Sequence, residues 1–502
     1  MPFIKYAFTL AIVFFELGFV EAQTKIGLFD NHLDIGAVKN EGFAQYQKNN
    51  QTYTIGGSGE NMWFDKDEFQ YLWTTIQGDF IVRAEVAFLG KGVDPHRKAG
   101  WIIKNDLNTD TPHVNASVHG DGLTALQYRS TIKGVTEENV STDSLPDVIQ
   151  LERRGSTFIM STAKFGQPFR EVKTTNTSIK NQVYIGLYVC AHNADIVEVV
   201  KFRNVRIIRP ATSDFKPYRD YIGSNLEVIE VSTGHRKILH STTNAIQAPN
   251  WTPDGTHLIY NGGGLLYKYH ISEGKISPFN TGFAMKNNND HVLTFDGSLM
   301  GISNHNEEDN NQSTLYYLPS EGDSIPVRVT PSGAGDSYLH GWSPDNKKMI
   351  FTGHRKGQYD IYTTEIETGI EQQLTDQKTL DDGAEYSPDG EYIFFNSVRS
   401  GKMKLWRMDT DGGNQFQLTG DEYNDWFPHV SPDQKWIVFI SFPKDIDPND
   451  HPFYKQCYLR IMPFKGGTPK IIGYIYGGQG SINVPSWSPD SKSFSFVTNT
   501  RL

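Results

Sequence analysis

Trp342-Ser343-Pro344-Asp345 and Tyr386-Ser387-Pro388-Asp389-Gly390 are two copies of one turn. The same element recurs at Trp251-Thr252-Pro253-Asp254-Gly255, Thr294-Phe295-Asp296-Gly297, Val430-Ser431-Pro432-Asp433 and Trp487-Ser488-Pro489-Asp490. Counted from the Pro position, with Phe295 standing in for it once, the steps are 42, 49, 44, 44 and 57 residues. The chemistry is that of a turn: Pro presets φ, Asp bonds its own backbone, and Gly accepts positive φ. An apolar strand follows each turn, as in Met349-Ile350-Phe351 and Trp436-Ile437-Val438-Phe439-Ile440. A Gly-containing turn and a third strand come next (Asp360-Ile361-Tyr362, Lys404-Leu405-Trp406), and a fourth strand ends near Gln373-Leu374-Thr375 or Gln417-Leu418-Thr419. A period in the forties carrying four strands is one blade of a β-propeller.

Six motifs predict six blades, and the ends of the repeat predict how the ring closes. Only 12 residues follow Asp490, enough for two strands that end in Phe494-Ser495-Phe496-Val497. The missing outer strands are expected from Leu226–Val231 and Lys237–Leu239, ahead of the first motif. Such a closure removes the exposed sheet edge of an open ring.

The run W-[ST]-P-D-G, apolar strand, R-x-G-x-x-x-[IL]-[YW], Q-L-T resembles the repeat of the TolB-like (PD40, WD40-like) propellers. Arg355-Lys356-Gly357-Gln358-Tyr359-Asp360-Ile361-Tyr362 and Arg399-Ser400-Gly401-Lys402-Met403-Lys404-Leu405-Trp406 carry it, and the resemblance covers roughly residues 214–502. That repeat occurs in the periplasmic TolB protein, in the propellers of prolyl-oligopeptidase-like peptidases and in oligogalacturonate lyases. It therefore implies a fold and leaves function open.

The first half reads as a separate β domain. Asp79–Val86, Trp101–Lys104, Val148–Glu152 and Gln182–Val189 alternate as half-buried strands do, which predicts a two-sheet sandwich. Gly56-Gly57-Ser58-Gly59, Gly78-Asp79-Phe80, Lys98-Ala99-Gly100-Trp101 and Leu126-Gln127-Tyr128-Arg129 resemble concanavalin-like jelly-roll domains over most of residues 25–208. The E-x-D-x-x-E pair of laminarinase-type glucanases is absent, which argues against that hydrolysis here. The expected plan is all-β: a signal peptide at 1–22, a concanavalin-like jelly-roll sandwich at 24–209, a linker at 210–223 and a six-bladed TolB-like propeller at 224–502.

Composition agrees with β structure: 13% of the residues are aromatic, and Gly numbers 46. The net charge of −11 argues against general affinity for nucleic acid or anionic membrane, since both need a basic surface. Lys5, the apolar stretch Tyr6–Val20 and Val20-Glu21-Ala22 form a secretory signal pattern too short for a membrane span. The mature chain is expected to be exported, to the periplasm or the extracellular space. Two cysteines, Cys190 and Cys457, fall in different domains and are expected as free buried thiols.

The residues just before each turn begin the innermost strand, whose end faces the central funnel. Six positions before the Pro stand Gln247, Asn289, Tyr338, Asp382, Trp426 and Asn483; four before stand His291 and His340; three before stand Glu385 and His429. With Asp290 and Asp425 these give the funnel candidates: Asn289, Asp290, His291, Tyr338, His340, Asp382, Glu385, Asp425, Trp426, His429 and Asn483. Imidazoles and carboxylates converging on an axis suit a divalent metal, with His291, His340 and His429 as ligands, or general acid–base work. A polar ligand-binding funnel and a purely structural one remain alternatives. Arg355, Arg399 and the motif aspartates are read as structural. Trp63, Trp73 and Trp101 are candidates to stack on sugars, and His113 and His119 are expected on loops or surface.

No Gly-x-Ser-x-Gly elbow, P-loop or dinucleotide fingerprint is present. The leading expectation is an exported binding protein that takes a protein or polysaccharide ligand at the funnel, without a required cofactor. The alternative is a carbohydrate-active enzyme, a polysaccharide lyase or glycoside hydrolase, metal-dependent or not, at the same place.

Overall fold

The computed structural model describes residues 25–176 and 178–502, and the expected signal peptide lies outside them. Apart from one 3-10 turn at Glu307–Asp309, the described residues carry only strands, turns and loops. None of their helices is long and apolar enough to cross a membrane.

Five four-stranded antiparallel sheets follow one another from Gln247–Trp251 to Lys470–Gly477, each strand pairing with the next in sequence. The sixth blade is composite. Ser493–Asn499 pairs with Ser224–Glu230 from Ser224↔Asn499 to Glu230↔Ser493, and Arg236–Thr242 forms the outer edge. A Trp487↔Phe494 bridge marks its innermost strand. The ring is thus closed by the two strands that precede the first motif, as the sequence predicts.

The motif turns repeat one hydrogen-bond pattern. Ser343 Oγ donates to Asp345 Oδ1 at 2.6 Å and accepts from Lys348 N at 2.9 Å. Ser387/Asp389 and Ser488/Asp490 do the same. Two of the three motif Trp side chains reach across to the preceding blade: Trp342 Nε1 donates to Val292 O and Trp487 Nε1 to His429 O, both at 2.9 Å. The repeat arginines tie blade ends. Arg355 grips Glu371 at 2.7 and 2.9 Å, and Arg399 pairs with Asp381 at 2.6 Å. Apolar strands bury their side chains between neighbouring blades, for instance Leu339, Trp342, Met349 and Phe351.

The first half is a pair of seven-stranded antiparallel sheets. One holds Asn31–Ile35, Phe69–Gln77, Gln182–Cys190, Lys98–Lys104, His113–His119, Thr124–Arg129 and Glu137–Val140 in that order; the other centres on Phe80–Leu89, between Val148–Arg154 and Glu198–Ile208. Trp101, Phe80, Leu126, Leu151 and Val200 fill the space between them. Trp101 is fully buried there, so it cannot stack on a sugar. His113 and His119 are buried strand residues rather than loop residues: Asp67, Lys104 and Arg129 form an ion cluster beside His113, and His119 Nδ1 lies 2.9 Å from Leu123 O. Both cysteines are free and buried.

Candidate functional site

The mouth of the propeller opens into a cavity of about 1320 Å³. All six residues at the sixth position before the motif Pro line it: Gln247, Asn289, Tyr338, Asp382, Trp426 and Asn483. The backbone explains this regularity. Each of the first five innermost strands carries a register irregularity between that position and the motif, and beyond it the side chains turn inward between blades. A bulge re-aims a side chain in this way, and bulges gather at barrel rims and sites.

The irregularity also separates two histidines that the sequence aligns. In the third blade Leu339 pairs with Phe351 and Gly341 with Ile350, so His340 is the extra, unpaired residue. It lines the cavity. In the second blade His291 is back in register opposite Ile302, and its Nε2 lies 3.2 Å from Ile259 O between blades. Burial lowers its pKa to about 4, so it is a neutral packing residue. Glu385 and His429 likewise pair normally, with Phe394 and Val438. His429 Nδ1 lies 2.6 Å from Glu385 Oε2, its Nε2 2.7 Å from Ile482 O, and Val430 N donates to Glu385 Oε1. This is a strut across three blades. Asp425 is buried against Arg460, Lys404 and Ser441. None of His291, Glu385, Asp425 and His429 lines the cavity. The convergence expected for His291, His340 and His429 does not form, since each imidazole has its own separate partner. Among the described residues no group of three or more His, Cys, Asp or Glu side chains is placed to hold a metal ion.

What does converge is Asp290, His340 and Asp382. His340 Nε2 lies 3.0 Å from Asp382 Oδ1, which also accepts from Thr352 Oγ1 at 2.6 Å and from Gly383 N at 2.8 Å. Burial opposes a charge on His340, but the hydrogen bond and charge of Asp382, with Asp290 adding, hold its pKa above the ordinary value. For Asp382, burial is likewise outweighed by His340 and Thr352, and its pKa is lowered. Each partner therefore favours the charged form of the other, the imidazolium–carboxylate arrangement. Asp290 differs. Burial, opposed by His340 and aided by Asp382, raises its carboxyl to about 7. No described residue donates a hydrogen bond to it.

Counting back from the motifs missed the rest of the wall. Tyr218 and Tyr221 come from the segment between the two halves, and Asp450, His451 and Phe453 from the long insertion of the fifth blade. His451 stacks on Trp426 at 5.1 Å, and burial lowers its pKa to about 4. Phe453 packs edge-on against Tyr218 at 5.0 Å and Tyr221 at 5.9 Å. The 57-residue step before the sixth motif was the available signal for that insertion.

Comparison with known proteins agrees with this architecture. The TolB β-propeller domain pattern (PD40) matches residues 330–449. An uncharacterized protein of Agrobacterium fabrum is 40% identical over 276 residues, which is 55% of this chain and 92% of that protein. A structure described as a candidate TolB from Agrobacterium tumefaciens shares 38% identity, with a TM-score of 0.53, over 56% of this chain and 100% of that one. TolB from Acinetobacter baumannii aligns at 16% identity and a TM-score of 0.41, over 66% of this chain and 79% of that one. With six blades closed as described and a relative spanned almost end to end, this chain belongs to the TolB-like PD40 β-propeller proteins.

Proposed function

We propose that the chain is an exported binding protein that takes a saccharide at the propeller funnel. The observation that carries the reading is the ring of six motif-linked side chains facing one cavity, three of them amides. The side-chain amides of Gln247 and Asn289 bond no other described group. An amide offers a donor and an acceptor side by side, as a pair of sugar hydroxyls requires. Tyr218 and Tyr221 add exposed aromatic faces at the mouth. On this reading residues 1–22 direct export, 24–209 form a concanavalin-like module that supplies a second surface, 210–223 link the two, and 224–502 bind. A glycan array on the purified mature protein, followed by titration calorimetry, tests it. Gln247→Ala and Asn289→Ala should each weaken a hit by about fivefold to tenfold. An array without hits, alongside stoichiometric capture of a protein, would sink the saccharide in favour of a protein ligand.

A second reading is favoured by Asp290 alone. A carboxyl held near pKa 7 beside an imidazolium–carboxylate couple suits general acid work on a glycan. Release of reducing ends or unsaturated products from an array hit, lost in Asp290→Asn, separates an enzyme from a binder.

A further inference from the structure

We propose that the funnel selects a saccharide bearing a free, protonated amine, an inference that rests on the saccharide reading above. The cavity wall contains three aspartates and four histidines and no Lys, Arg or Glu. A polyuronate or sulfated glycan would need cations there, and the planar fork of Arg is the usual means. His340 is committed: its Nε2 faces Asp382 at 3.0 Å, and that same carboxylate oxygen is filled by Thr352 and Gly383. The couple is neutral as a unit and offers an anionic ligand nothing.

Asp290 is the uncommitted group. It is 4% exposed, it lines the cavity, and no described residue hydrogen-bonds its carboxyl. A buried carboxyl without a donor is costly unless a ligand completes it. An ammonium brings three donors and the opposite charge, which is what the position lacks. Tyr338 stands on the next blade and Tyr218 on the rim, both close enough to feel the Asp290 charge. An aromatic face within reach of a bound ammonium adds cation–π stabilisation. Asp450, exposed at the mouth, adds a second negative charge on the approach. A saccharide amine fits this set better than a lysine tail, because the amides of Gln247 and Asn289 surround the same space and need hydroxyl partners.

The test is calorimetric titration of the full mature chain with four probes: β-1,4-linked glucosamine tetramer, its fully N-acetylated form, galacturonate tetramer and tetralysine. The amine tetramer should bind about tenfold or more tighter than the acetylated one, as expected when one charge-assisted hydrogen bond is lost. Asp290→Asn should erase that preference, so that the two glucosamine forms bind the variant with equal affinity. Equal affinity for the two glucosamine forms, or preference for galacturonate, overturns the amine and leaves the saccharide reading standing. Tetralysine binding tighter than the amine tetramer overturns the saccharide as the amine's carrier. No binding by any saccharide overturns both readings. The wild-type comparisons do not depend on any variant folding.

Discussion

Asp290 is placed at a cost to the fold. Its carboxyl keeps a proton up to about pH 7, whereas an unfolded chain releases it near 3.8. The protonated form therefore stabilises the fold fully below 3.8, and that stabilisation is lost as the pH climbs to 7. Asp290→Asn, neutral at every pH, should match wild type at pH 4 and be more stable at pH 8 by about 1–3 kcal/mol. Denaturant midpoints at the two pH values check this, and equal midpoints at pH 8 would mean that Asp290 carries no buried charge. A residue whose loss stabilises is one retained for use. The same ionisation sets ligand binding: affinity for the amine probe should rise from pH 5.5 to 7 and fall once the ligand's amine loses its proton. His429 is the opposite case. Its two ring nitrogens bridge Glu385 and Ile482 O. His429→Ala leaves Glu385 with only its Val430 N bond and a buried, unpaired Oε2, and should cost about 2–4 kcal/mol, with funnel binding moved far less than stability.

The innermost strands show where reading by motif spacing succeeds and where it stops. The turns were legible because Pro, Asp and Gly act locally, and the closure because a blade short of strands must find them elsewhere. The sixth position before each Pro was legible as the funnel face for the same reason: it repeats with the turn. The bulge between them was not, since its place is set by contacts with the next strand. In the first, fourth and fifth blades the residue after the funnel position has positive φ (Ala248 at 53°, Gly383 at 64°, Phe427 at 56°), whereas in the third the extra residue is His340. Spacing alone therefore made His291 and His340 equivalent, and it placed Glu385 and His429 on an axis they do not face. The walls built by the 210–223 segment and the fifth-blade insertion lie outside the repeat and carry no periodic signal. Gly383 is the sharpest test of the bulge. Its amide holds Asp382, and a Cβ there would lie 2.5 Å from the Phe427 ring and 2.4 Å from Asn396 Oδ1. Gly383→Ala should cost about 1–3 kcal/mol, and it should weaken funnel ligands by displacing Asp382.

The sandwich rests on the fifth and sixth blades through a buried polar seam. Arg83 and Arg236 both donate to Tyr474 O, Gln150 Nε2 donates to Gln456 Oε1 at 2.9 Å, and Gln456 donates to Glu152 at 2.9 Å. Apolar contacts flank it, including Ile81, Ile208, Phe453, Tyr454 and Tyr476. Phe453 belongs at once to this seam and to the funnel wall, so the docking of the first half shapes the mouth of the second. Glu227 is the electrostatic centre of the junction. Arg206 from the last strand of the sandwich reaches it at 2.5 Å, Arg236 at 2.9 Å, and Thr498 of the closing strand at 2.5 Å. One carboxylate thus joins the sandwich, the first propeller strands and the ring closure. Burial opposes its charge, but the two guanidiniums prevail and hold its pKa at about 2. The stability it supplies is present above the ordinary value of 4.5 and is lost as the pH falls from there toward 2. Glu227→Gln leaves two buried guanidiniums under-compensated and should cost about 3–5 kcal/mol at pH 7. The difference from wild type should narrow steadily in unfolding curves taken between pH 4.5 and 2. A gap that stays constant over that range would mean that the carboxylate charge is not what joins the two halves.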